Sequence, residues 1–163
     1  MSLKSKRHVE MGEKVGWRVW YINTYRGVAL GGSFKRSALW KPGVNITKLP
    51  PANGFIPQVY LDYFPERNDE FWGSGFHAFK EKSDLDNYIQ RYCSDVFLWV
   101  IGKVYLWGDV IECIHGYRAS HASVKSLDVI YGHSWLADMP NYKLLEKLRE
   151  DYLLNNDDGK EEA

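Results

Sequence analysis

The sequence predicts an α+β fold: a curled antiparallel sheet or small β-barrel with one helix in mid-chain and one near the C-terminal end. Three observations predict it. Several short stretches alternate apolar and polar side chains with period two and are rich in β-branched and aromatic residues. Segments 83–95 and 141–156 instead repeat their apolar residues every three or four positions, as a helix face does. Three strand-like patterns then follow closely on one another in the second half, which favours a meander over crossover connections. At 163 residues the chain suits one domain and can bury a core without disulfide staples. The expected organisation is one globular unit over 1–156, frayed over 1–15, with a disordered acidic tail over 157–163.

Taken in order, "GWRVWYIN" (16–23) sets Trp17, Val19 and Tyr21 against Arg18, Trp20 and Ile22, a strand pattern. "GVALGGSF" (27–34) is a second strand with a bend at Gly31-Gly32. "LWKPGVNITKLPPANGFIP" (39–57) carries four of the six prolines, so it is irregular coil or a strand edge. "QVYLDYF" (58–64) alternates again. "PERNDEFWGSG" (65–75) is a polar loop leading into "GFHAFK" (75–80). Ser83 is the expected cap of the first helix, with Asp86 three residues on. Leu85, Tyr88, Ile89 and Tyr92 form its apolar stripe. "VFLWVIGKVYLW" (96–107) is apolar at both parities and predicts a strand buried on both faces. Gly102 within it marks a bulge or a close backbone approach. Trp107-Gly108-Asp109 reads as a turn into "VIECI" (110–114). A tight turn at His115-Gly116 leads to "GYRASHA" (116–122). "SLDVIYGHSWLADMP" (126–140) fits either a strand or short helical turns. Asn141 is the expected cap of the last helix, with Leu144, Leu145, Leu148, Tyr152 and Leu153 on its buried face.

The chain is 45% hydrophobic and 26% charged, ordinary for a soluble globular protein. Its seven Trp and eleven Tyr are not ordinary. Such side chains fill cores, and they also build stacking platforms. Twenty-one basic residues balance twenty-one acidic ones, which argues against non-specific nucleic-acid binding but leaves room for a local basic patch. No apolar run approaches the roughly 20 residues of a membrane-spanning helix. The start, "MSLKSKRHVEMGEK", lacks an apolar signal core. The expectation is a cytoplasmic protein with Cys93 and Cys113 as free thiols and no membrane partner.

The ordered set Trp40, Pro42, Gly43; Gly75, Phe76, His77, Ala78; Val104, Leu106, Trp107, Gly108, Val110, Glu112; and Gly116, Tyr117, Arg118, Ala119 resembles a set of small uncharacterised bacterial and phage-associated proteins. The match spans about residues 16–122. It implies a shared fold and no particular activity. Some members carry a Cys-x-Cys before the Gly-aromatic box; Trp72-Gly73-Ser74 stands there in this chain, so no metal site carries over. More distantly, "HAFK", a helix and "VIGKVYLWGDVIE" are similar to PUA-like and ASCH barrels, many of which bind RNA or modified bases. The ASCH motif Gly-x-Lys-x-x-Glu is not reproduced, because Trp17 stands where its Glu would.

Several residues are candidates for chemistry. Cys113 and His115 share a strand face and, with His121 or Cys93, offer metal-ligand atoms, but without a Cys-x-x-Cys pair the expectation is no metal and no cofactor. Glu112 interrupts an apolar strand, and a buried carboxylate needs a partner. Arg118, across the turn, is the expected one. That pair is either structural or lines a pocket. His77 is either a satisfied strand residue or a proton-transfer group. Trp40 and Trp72, in irregular segments, are either coil packing or exposed stacking faces. The leading functional expectation is a small binding module that recognises a nucleobase, nucleotide or similar ring with Trp40, Trp72, His77, Glu112, Tyr117 and Arg118. The alternatives are a small enzyme on a nucleotide- or amide-like substrate in which His77, Glu112 and Arg118 converge, and a protein–protein regulator exposing an aromatic patch.

Overall fold

The computed structural model describes residues 6–7, 14–24, 27–32, 39–47, 75–93, 97–132 and 138–154. Its strands are β1 (Lys6–Arg7), β2 (Lys14–Asn23), β3 (Ala29–Gly31), β4 (Asn45–Ile46), β5 (Phe76–Phe79), β6 (Trp99–Glu112) and β7 (Gly116–Tyr131). Helix α1 spans Lys82–Tyr92 and α2 spans Asn141–Arg149, and the chain widens into a π-type turn over Glu150–Leu154. The sheet is antiparallel throughout, in the order β1-β6-β2-β5-β7-β4, with β3 on β2. β6 also pairs with β7, so β6, β2, β5 and β7 close into a ring-like cycle. The sequence expectation of a curled antiparallel sheet with two helices therefore holds. The segment 58–64 and Trp72 lie outside the described residues.

The second half is one long hairpin, not a meander. Trp107-Gly108-Asp109 does not turn the chain. Pairing runs from Trp99↔Tyr131 to Glu112↔Tyr117, with register shifts at Ile101/Gly102, Lys103/Val104 and Trp107/Val110. Gly108 takes φ +84 and forms a bulge. The freed Asp109 N–H donates to Ser120 Oγ at 3.0 Å, so no backbone donor is orphaned there. The hairpin closes at Ile114-His115, where Cys113 N–H donates to Gly116 O at 2.8 Å. The ambiguous segment from 126 continues β7 as far as Tyr131.

Both faces of β6 are buried, as its mixed-parity apolar pattern predicts. Trp20, Val100, Val104, Leu106, Ala119 and Val124 belong to an inner core that takes in Leu144 and Leu148 of α2. Val19, Phe79, Trp99, Ile101 and Ile111 form an outer core against Leu85 and Tyr88 of α1. The helix starts differ from expectation. Glu81 and Pro140 hold the cap positions, and neither makes a side-chain cap bond. In the first turn of α1, Asp84 N–H donates to Glu81 O at 3.1 Å, and the Asp84 carboxylate lies 3.4 Å from His115 Nδ1.

Tyr152 ties the C-terminal segment to the N-terminal strands. Its hydroxyl accepts from Leu30 N–H at 3.0 Å and donates to Trp40 O at 2.9 Å. Burial raises the phenol above its ordinary pKa of 10.0, so it remains a donor at neutral pH. Tyr152→Phe leaves a buried amide and a buried carbonyl without partners. We expect a loss of about 1–3 kcal/mol, measured by urea unfolding, with an unchanged m-value.

Candidate functional site: a cationic aromatic inner face

Strand register decides which candidate residues meet. Glu112 pairs with Tyr117, while Ile111 pairs with Arg118. Side chains alternate across a strand, so Glu112 and Arg118 leave opposite faces of the sheet. The expected Glu112–Arg118 ion pair is absent for that reason. His77 pairs with Arg118 and Ala78 with Tyr117. His77 and Arg118 are thus neighbours on the outer face, and Glu112 and Tyr117 belong to the inner one. The expected convergence of His77, Glu112 and Arg118 does not occur.

Glu112 pairs instead with Lys80 at 3.1 Å. Lys80 lies two positions beyond Ala78 on the same inner parity and reaches the carboxylate along the strand end. Both side chains are about one-third exposed or less, so the pair contributes little stability. Its role is positional. The Lys80 ammonium is 5.6 Å from the centroid of the Tyr117 ring. The Lys14 ammonium, arriving from β2, is 5.6 Å from the same centroid. One half-buried tyrosine thus carries two cations within cation–π range.

Deeper on this face lies Arg18, which shares strand parity with Trp20 and Ile22. Its guanidinium carbon is 4.7 Å from the Trp40 ring and 5.8 Å from the Trp20 ring. Its Nη1 donates to His77 O at 2.8 Å. Trp20 and Trp40 meet edge to face at 5.5 Å, and Trp40 meets Phe76 at 5.0 Å. Trp40 is only 6% exposed, so it is a core ring that backs Arg18 and not the exposed stacking face its irregular segment suggested. The segment can bury it because Asn45 organises the Lys41-Pro42-Gly43 turn: Asn45 Oδ1 accepts from Lys41 N–H at 2.9 Å, and Nδ2 donates to Lys41 O at 3.0 Å. Burial pulls the Arg18 guanidinium down to about 10, with Tyr88 opposing the shift; it stays charged at neutral pH.

The sulfur and imidazole candidates lie apart from this face. Cys93 and Cys113 are free thiols. Burial pushes Cys93 up from 9.0 to about 11, which removes thiolate at neutral pH. His115 is engaged with Asp84. His121 Nδ1 lies 2.7 Å from Ser120 Oγ, with its ring against Trp107. Among the described residues no group of three His, Cys, Asp or Glu side chains could hold a metal, and no helix is long and apolar enough to cross a membrane.

Sequence reasoning overlooked Lys14, Arg18 and Lys80. A signal was present for Arg18: a charge on the parity that carries Trp20 and Ile22 is out of place unless it serves something. Lys14 and Lys80 carried none, since their convergence depends on the ring closing.

No family model, curated protein or solved structure matches the chain.

Proposed function

We propose that the chain is a small binding module for a phosphate-bearing ring compound of the nucleotide class, taken up at Tyr117 on the inner face. The observation that carries this reading is the placement of two ammonium groups, Lys14 and Lys80, each 5.6 Å from the centre of one half-buried Tyr117 ring. A phenol face supplies base stacking of about 1–3 kcal/mol without demanding one particular base. Two lysines beside it supply point charges for phosphate oxygens. Glu112 holds Lys80 in place and leaves the local charge positive in a chain that is neutral as a whole.

Calorimetric titration with AMP, ADP, ATP and the matching nucleosides tests this. Nucleotides should bind, nucleosides should bind at least tenfold more weakly, and Tyr117→Ala should lose about ten- to a hundredfold in affinity. Tyr117→Phe should retain binding, because stacking needs the ring and not the hydroxyl. Lys14→Ala and Lys80→Ala should each weaken the nucleotides while leaving the nucleosides unchanged. No heat at millimolar nucleotide overturns the reading. A protein–protein contact would then be preferred, on the ground that Leu39, Val44 and Ile46, close together in sequence, are 55%, 42% and 65% exposed.

A further inference from the structure

The outer face of the sheet carries a second group of cations and rings, separate from the one at Tyr117. Helix α1 packs on that face at Val19, Phe79, Trp99 and Ile101, and Trp17 borders the cluster. Beyond it, the register sets Trp17 opposite Lys103 and Val15 opposite Tyr105. These four side chains therefore form a two-by-two array on one face. Lys125 joins them from β7. It is the residue left unpaired at a register shift, since Lys103 pairs with Ser126 and Val104 with Val124. The Lys103 ammonium lies 4.5 Å from the centroid of the Trp17 ring, and the Lys125 ammonium 5.6 Å from that of Tyr105. Among the described residues neither lysine has a carboxylate within ion-pair distance. Val15 and Lys125 are exposed, and Trp17, Lys103 and Tyr105 are half-buried, so solvent reaches all five.

We propose that this strip binds single-stranded nucleic acid, with one base on Trp17, a neighbouring base on Tyr105, and Lys103 and Lys125 on the phosphates beside them. Trp17 and Tyr105 are diagonal neighbours on paired strands, roughly 7 Å apart, which suits two unstacked bases of one strand. Such rings stack bases without demanding a sequence, while flanking cations follow the backbone. An ammonium over a ring at an exposed site has a weak partner. A phosphate is a stronger one, and the flexible four-carbon stem lets lysine move to it as a base takes the ring face. An acidic peptide fits less well. Extended peptides gain affinity from main-chain hydrogen bonds at a sheet edge, and β6, at the centre of the strip, is paired on both sides there. A duplex fits less well too, because its bases are already stacked on one another.

The test is fluorescence anisotropy of end-labelled decauridylate and decathymidylate titrated with the full chain at low salt. A GC-rich duplex of the same length and a glutamate decapeptide serve as competitors of other classes. Both single strands should bind. The logarithmic slope of affinity against salt should be about −1.4, which is about 0.7 for each of two phosphates. Lys103→Gln and Lys125→Gln should each halve that slope. Trp17→Leu and Tyr105→Leu should each weaken binding about five- to a hundredfold. Trp17 also packs against the outer core, so the lysine variants, which remove no apolar packing, keep the test independent of folding. Tyr117→Ala should leave strand binding unchanged while losing the mononucleotide response, so the two readings fail separately. Four results overturn the proposal. The first is no anisotropy change at ~0.5 mM protein, where a millimolar affinity already fills about a third of the probe. The second is a duplex or glutamate peptide bound as tightly as the single strands. The third is an undiminished affinity in both Trp17→Leu and Tyr105→Leu. The fourth is an equal loss in Tyr117→Ala, which would put the strand on the inner face instead.

Discussion

Gly102→Ala should abolish the native fold. At this position β6 and β7 approach so closely that an added methyl would collide with the carbonyl oxygen of Ser126. It would also lie 2.9 Å from that carbonyl carbon and 3.1 Å from the Leu127 Cα. All of these are backbone atoms, and they sit at a register shift between Ile101 and Gly102. No rotamer change relieves the clash. The hairpin must separate or slip, and a slip of one residue exchanges the inner and outer faces of an entire strand. The expected cost is more than about 4 kcal/mol, a large part of the stability of a domain this size. Circular dichroism and urea unfolding read it directly. Gly43→Ala is the informative contrast. Gly43 has φ +82 but nothing within 4 Å of the added carbon. Only backbone strain remains there, about 1–2 kcal/mol. If Gly102→Ala unfolds no more readily than Gly43→Ala, the close approach of the two strands is wrong.

Leu148→Ala should cost about 3 kcal/mol, within the range for buried leucines. Leu148 and Leu144 are 0% exposed and join the inner core beside Val100, Val124 and Leu127. The helix that carries them is fixed at a second point, where Arg149 Nε donates to Leu127 O at 2.8 Å. A cavity at Leu148 therefore cannot close by sliding the helix. Thermal unfolding of Leu148→Ala beside Tyr142→Ala separates packing from helix propensity, since Tyr142 is 70% exposed and should change stability by under about 0.5 kcal/mol. Equal losses in the two variants would remove α2 from the core.

Where one element decides its own structure, the sequence was sufficient. The period-two pattern of β2 and the helical spacing of Leu144, Leu148 and Tyr152 each record which face is buried, and both faces are occupied as expected. Apolar residues at both parities of β6 imply burial on both faces, and the two faces meet separate clusters. What failed depended on partners distant in sequence. Trp107-Gly108-Asp109 has the composition of a turn, yet Ser120 across the hairpin accepts the freed amide and the strand continues. Ser83 and Asn141 have the chemistry of caps, but each lies inside its helix. The site was harder still. Glu112 needed a partner, as a carboxylate in an apolar strand must, and the partner is Lys80 because register places Arg118 on the other face. Trp40 looked exposed because its segment is irregular, and a turn held by Asn45 buries it. Lys14 and Lys80 meet only at the Tyr117 ring, which β7 supplies through its pairing with β5.

The Tyr152 hydroxyl has a consequence for synthesis of the chain. It serves Leu30 and Trp40, which precede it by 122 and 112 residues. Until that side chain has left the ribosome, the Leu30 amide and the Trp40 carbonyl have only water as a partner and cannot be buried as they are in the finished fold. Translation supplies about 5–20 residues per second, so these segments wait several seconds in an incomplete sheet. The hairpin of β6 and β7, whose contacts are local, can form in that interval, whereas β3 cannot be completed. A stalled chain ending before residue 152 would leave the Leu30 amide open on the side of β3 that otherwise carries the Gly31–Leu39 bridge and the Trp40 N–H to Leu30 O bond, which is where chaperone binding or pairing with a second nascent chain should begin.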